Sequence, residues 1–119
     1  MEVCVLDLNS MRAQAVKALA HPTRLRIVDL LGSRTECSVS EIASALDEAQ
    51  PTVSKHLSIL RDAGFVQCRR EGPGAYYSLS SACGTELLRC IDRVVLADVQ
   101  ARSEQLGSVA VDSGGTGFA

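Results

Sequence analysis

The sequence predicts a mainly α fold of α+β class, helices packed on helices around one small β-hairpin. Aromatic residues are only 3% of the 119 and Trp is absent, so Leu, Val, Ile and Ala must build the core. Apolar positions recur at helical spacing in several stretches, whereas strand character is confined to one interval broken by a Gly/Pro turn. The length suits one compact unit with tails, and 46% hydrophobic with 22% charged residues is ordinary for a soluble globular chain. No run approaches the roughly 18 apolar residues of a membrane span. Residues 1–10 lack the basic start and long apolar stretch of a signal peptide, so a cytoplasmic location without membrane contact is expected. Five Cys, an odd number, then read as reduced thiols rather than a disulfide framework.

Residues 1–9 read as a short N-terminal arm carrying Cys4. From Ser10 a helix places Met11, Ala15 and Leu19 on one face and ends at Ala20-His21-Pro22. Pro22 disfavours helix at the preceding residue and is preset for the first turn of the next helix. Leu25, Ile27, Val28, Leu30 and Leu31 continue that helix to Gly32, read as its C-cap, and residues 34–37 read as a connection. Ser38-Val39-Ser40-Glu41 is a capping-box sequence, in which the Ser hydroxyl and the Glu carboxylate each close an orphan N–H. It opens a short helix over 38–46 with Val39, Ile42, Ala43 and Leu46 as its apolar stripe. After the polar turn Asp47-Glu48-Ala49, Gln50-Pro51 starts another helix whose inner face is Val53, Leu57 and Leu60 and which Ala63-Gly64 closes. Residues 65–70 and 75–79 flank Glu71-Gly72-Pro73-Gly74 and form a two-stranded β-hairpin. Residues 84–106 return to helical period with Leu87, Leu88, Ile91, Val94, Val95 and Val99, too apolar for so small a core unless the helix is an oligomer contact. Residues 107–119, with three glycines beyond Gly107, read as a flexible tail.

The formal net charge of −2 argues against a nucleic-acid partner until the charges are placed. Residues 51–80 carry Lys55, Arg61, Arg69 and Arg70 against only Asp62 and Glu71, while both flanking segments are acidic in balance. Attraction to phosphate depends on local contacts, so a basic centre between acidic ends still presents a positive face. Two short helices joined by a tight turn and followed by a hairpin make a winged helix-turn-helix, here over residues 10–106 with terminal dimerisation helices. A helix that enters the major groove must be apolar on one side and offer short polar or basic side chains on the other. Residues 50–61 do so. Gln50, Thr52, Ser54 and Lys55 are expected at base edges, and Ser58, Arg61, Arg69 and Arg70 at phosphates. His56 adds a candidate phosphate contact, although it and His21 suit packing or capping roles better than metal ligation. One such helix reads few base pairs, so double-stranded operator DNA calls for a homodimer with two-fold symmetry.

Ala20-His21-Pro22-Thr23-Arg24-Leu25-Arg26-Ile27, Gln50-Pro51-Thr52-Val53-Ser54-Lys55-His56-Leu57, Leu60-Arg61-Asp62-Ala63-Gly64-Phe65-Val66 and Arg69-Arg70-Glu71-Gly72 together resemble the ArsR/SmtB family of repressors, over about residues 11–95. The resemblance implies a homodimer pairing through its first and last helices, seated on an operator until a metal, metalloid or oxidant releases it. Family wings often carry a basic residue after the Glu-Gly pair, where this chain has Pro73-Gly74-Ala75. The family's Cys-Val-Cys-Asp metalloid run corresponds to Ser38-Val39-Ser40-Glu41, with Cys37 one place earlier, and the last helix holds no His for a zinc-type site.

Sulfur remains as the sensing chemistry. Cys83 and Cys90 are two helical turns apart on one face, about 10 Å along the axis, so they meet across an antiparallel dimer, or within one chain only if Cys83 precedes the helix. Soft thiolates select thiophilic species, and trivalent arsenic or antimony fits best as inducer, with Cys4 and Cys37 as further candidate ligands. A redox or persulfide sensor would use the same thiols. Cys68 reads as a packed strand residue. The spacing from Cys83 to Arg89 also matches a phosphatase or arsenate-reductase loop, but an acid and helical apolar spacing lie between them and no doubly wound sheet surrounds them, so no enzyme or enzyme cofactor is expected.

Overall fold

The computed structural model describes residues 7–106, so Cys4, most of the expected arm and the expected tail lie outside the described residues. The order is α1 (Leu8–Leu19), α2 (Pro22–Ser33), β1 (Cys37–Ser38), α3 (Val39–Leu46), α4 (Gln50–Asp62), β2 (Val66–Glu71), β3 (Gly74–Leu79) and α5 (Cys83–Leu106). The result is a mainly α winged helix-turn-helix. No helix among the described residues is long and apolar enough to cross a membrane.

Local chemistry sets most boundaries. Asp7 caps α1 by accepting from the Asn9 N–H, which starts the helix two residues before the predicted Ser10. His21 caps α2, its Nδ1 accepting from the Thr23 N–H at 3.1 Å, with Pro22 in the first turn. The capping box of α3 is complete: Glu41 N–H donates to Ser38 Oγ at 3.1 Å and Ser38 N–H to the Glu41 carboxylate at 2.8 Å. Asp47 ends α3 in the left-handed region at φ 57°, and Gly64 follows α4 at φ 90°, where a Cβ would be strained.

Two expectations are corrected. Residues 34–37 are not wholly a connection, because Cys37 and Ser38 form β1 and pair antiparallel with Tyr77 and Tyr76 of β3. The sheet therefore has three strands in the order β1-β3-β2, one more than the hairpin alone. Gly32 is no C-cap either; α2 continues through it and Arg34 takes that position. A Cβ on Gly32 would lie 2.6 Å from Thr85 Oγ1, so the glycine serves the close crossing of α5.

The core joins α2, α3, α4 and the sheet, with Ile27, Val28, Ile42, Val53, Leu57 and Leu60 all without exposure. Arg26 ties α2 to the end of α3, donating to the Leu46 carbonyl at 2.8 Å. On the α2–α4 seam the His21 and His56 rings lie 4.4 Å apart, and Arg24 Nη1 sits 3.2 Å from His56 Nδ1. Burial, and then the neighbouring His21 and Arg24, push the His56 pKa below its ordinary 6.5.

This packing has two measurable consequences. Gly32→Ala should lower the melting temperature in the native background. In a Thr85→Ala background the same change should raise stability by about 0.5–1 kcal/mol, the helix-propensity gain of Ala over Gly once the obstruction is gone. The second consequence concerns pH. Because folding depresses the His56 pKa, the unfolded chain takes up a proton first as pH falls below about 6.5. Stability should decline from there downward until the folded-state pKa is passed, and denaturant titrations of a His56→Gln variant should show a flatter profile over that window.

Candidate nucleic-acid interface

Burial of Val53, Leu57 and Leu60 turns the remaining face of α4 to solvent. Gln50, Thr52, Ser54, Lys55, Ser58 and Arg61 are all exposed, so the structure brings the six expected contacts of this helix onto its open side. Asp62, in the last turn beside Met11, Gln14 and Ala15 of α1, follows Lys55 by about two turns on the same open side and is the acid of that face. Ala49 gives α4 no side-chain cap, unlike Asp7, His21 and Ser38 at the three preceding helices. The first-turn N–H groups of α4 therefore receive no side-chain cap, and Pro51 supplies no N–H.

His56 is placed differently from the rest. It is half-buried and its Nδ1 faces Arg24, which makes it part of the seam that seats α4.

The two wing arginines separate. Val66 is buried and Cys68 half-buried, and strand alternation puts Arg70 with them and Arg69 on the opposite face. Arg70 is exposed, holds no ion pair among the described residues, and acts electrostatically on Tyr77 together with Arg61. Arg69 is occupied. Its Nε and Nη2 each donate to Glu36 at 2.9 Å, its Nη1 donates to Glu71 at 2.6 Å, and its guanidinium lies 5.1 Å over the Tyr76 ring. Those contacts raise the Arg69 pKa and hold the Glu36 carboxyl below its usual range. Glu36 and Tyr76 escape a sequence reading, since the signal is only an acid before a two-residue strand and an aromatic in the wing.

The cysteines are dispersed. Cys37 is 1% exposed inside the core, and Cys68 is half-buried beside Tyr77, whose pKa rises through burial and its hydrogen bond with Cys68. Cys83 and Cys90 are both exposed on α5. Cys83 is the first residue of that helix, its N–H donating to Ser81 Oγ at 3.2 Å, so the two thiols of one chain cannot reach a common ion. Arg93 Nη2 donates to Cys90 Sγ at 3.5 Å. No group of three or more His, Cys, Asp or Glu suited to a metal ion occurs among the described residues. The Cys83 to Arg89 spacing lies in helix and forms no anion-cradling loop.

Comparison with known proteins agrees with this geometry. A family described as Helix-turn-helix domain matches residues 19–69. An uncharacterized helix-turn-helix transcriptional regulator of Methanocaldococcus jannaschii is 37% identical over 82 residues, 69% of this chain and 92% of that one. An arsenic resistance transcriptional regulator of Pseudomonas putida is 36% identical over 95 residues, covering 80% of this chain and 71% of its own. Among solved structures, the homodimeric winged helix-turn-helix DNA-binding domain of a possible ArsR-family regulator from Mycobacterium bovis superposes with a TM-score of 0.65. It is 29% identical and covers 94% of this chain and 97% of that one. These relatives are transcriptional regulators and not enzymes. With α4 seated so that its polar side is open, and with relatives of this identity matched over most of their lengths, the chain belongs to the ArsR/SmtB family of winged helix-turn-helix transcriptional regulators.

Proposed function

We propose that this chain is a cytoplasmic homodimeric repressor that holds a two-fold-symmetric operator through α4 and is released by chemistry at cysteine thiols. The observation that carries the reading is α4 itself, fully buried along Val53, Leu57 and Leu60 and polar along its open side. Gln50, Thr52, Ser54 and Lys55 read base edges, and Ser58 and Arg61 hold phosphates.

Exposed apolar residues support the dimer. Leu8, Met11 and Val16 on α1 are 50–57% exposed, and Ile91, Val94 and Val95 crowd one stretch of α5. Apolar surface of this density on both terminal helices needs a partner, and the Mycobacterium bovis neighbour is described as homodimeric.

For the inducer, the name of the Pseudomonas putida relative favours a trivalent arsenic or antimony species on Cys83 and Cys90. Two copies must then supply the ligands. In an antiparallel α5 pair, Cys83 of one copy meets Cys90 of the other only when the two-fold axis passes beside Glu86 and Leu87. A pair centred on Ile91, Val94 and Val95 instead separates those thiols by about 20 Å along the helix. A second reading rests on Cys90 alone: an exposed thiol beside the Arg93 guanidinium is an electropositive setting in which sulfur reacts with peroxide or sulfane sulfur.

Ser54→Ala and Lys55→Ala should each weaken operator binding in fluorescence anisotropy while leaving the dimer intact in sedimentation. Inducer should lower operator affinity of the native protein by about 5–150-fold, the usual range of allosteric coupling. The Cys83→Ser/Cys90→Ser protein should bind DNA normally and stay bound when arsenite, antimonite, cadmium or persulfide is added in turn. Undiminished release from that double variant would remove these cysteines from the mechanism, and release by persulfide or peroxide alone would select the second reading.

A further inference from the structure

The neighbouring wing arginines have opposite surroundings, and their surroundings assign them different work. Each nitrogen of the Arg69 guanidinium has a carboxylate partner: Nε and Nη2 in Glu36, Nη1 in Glu71, with Tyr76 across its face. A guanidinium grips phosphate best through a two-donor edge, and the Nε/Nη2 edge of Arg69 is already held by Glu36. Glu36 directly precedes β1, whose Ser38 caps α3, and Arg69 lies directly opposite Tyr76 in the β2–β3 register. The clamp therefore joins the wing to the segment that enters the helix-turn-helix. Arg70, one residue on, falls on the other face, opposite Ala75, and shares the neighbourhood of Tyr77 with Arg61 at the end of α4.

We propose that Arg69 is a positioning residue that pins the wing to Glu36, and that Arg70 is the wing's phosphate contact, continuing the basic side of α4 from Lys55 and Arg61. The assignment rests on the DNA-binding reading of α4 and adds to it which arginine touches the backbone. An isolated surface ion pair contributes little, but a bidentate pair joined to a second carboxylate and an aromatic face is an ordered network. Its effect falls on the orientation of the hairpin, since β1 offers only two residues of pairing to hold that edge of the sheet.

The test uses the full chain and a duplex enriched from random sequence by the native protein, with affinity measured across a salt series. Failure to enrich any duplex would refute the DNA-binding reading itself, whereas the arginine assignment is decided by the variants on an enriched duplex. Each phosphate contact contributes about 0.9 to the slope of log affinity against log salt. Arg70→Gln removes one contact from each protomer of the dimer and should reduce the slope by about 1.8. Arg69→Gln should leave the slope unchanged while weakening binding roughly fivefold at every salt concentration, the scale of a lost ordered ion-pair network. Glu36→Gln should reproduce that loss, and the Glu36→Gln/Arg69→Gln double variant should lose no more than either single one, as coupled neighbours do. Three results would overturn the assignment: a reduced slope for Arg69→Gln, tighter binding by Glu36→Gln, or an Arg70→Gln protein with the native slope. Arg69→Gln binding indistinguishable from native would also reject the positioning role.

Discussion

Val53, Leu57 and Leu60 lose all exposure where α4 meets α2 and α3. Full burial of such side chains contributes about 1.5–3 kcal/mol each, enough to fix the rotation of a helix with few residues to spend on it. Rotation is what decides function here. Once those three point inward, Ser54, Lys55 and Ser58 have no choice but to face outward. The seam with α2 adds a polar lock, because His21, Arg24 and His56 meet only if α4 sits at one height along α2. His21 also caps α2, so one side chain both starts that helix and abuts His56 of α4.

What was legible in the sequence was what repeats or punctuates. The apolar period placed all five helices to within a residue or two, the Ser38–Glu41 box fixed the start of α3, and Gly-Pro-Gly marked the hairpin turn. Contacts between residues far apart in the chain left no such mark. β1 is two residues long, too short for alternation to register, and its pairing with Tyr76 and Tyr77 lies nearly forty positions away. Gly32 looked like punctuation because glycine often ends helices, yet its role is to let Thr85 approach. The pairing of Arg69 with Glu36 spans 33 positions, and charge arithmetic sees both residues but not their union.

A one-residue boundary matters to the sulfur chemistry. The apolar spacing begins the last helix at 84, which leaves Cys83 free to fold back toward Cys90. In the structure the Glu86 N–H already donates to the Ala82 carbonyl at 3.0 Å and the Cys83 N–H is capped by Ser81, so Cys83 belongs to the helix. That single turn of hydrogen bonds rigidly spaces the two thiols and leaves any shared chemistry between them to two copies of the chain.

The same spatial sorting reconciles a formal net charge of −2 with a basic, polar open side on α4. Net charge sums over the whole chain, whereas a duplex one Debye length away feels chiefly the face turned toward it, about 8–10 Å at ordinary salt. On that face Lys55, Arg61 and Arg70 are exposed against Asp62, at the C-terminal end of α4. The acids nearest the wing, Glu36 and Glu71, are drawn onto Arg69 on the far side of the hairpin. Giving up one of four local cations to hold two carboxylates leaves the remaining three less opposed than the formal balance of the segment implies. The clamp thus shapes the field as well as the wing, and both effects act on the side of the molecule where α4 is open.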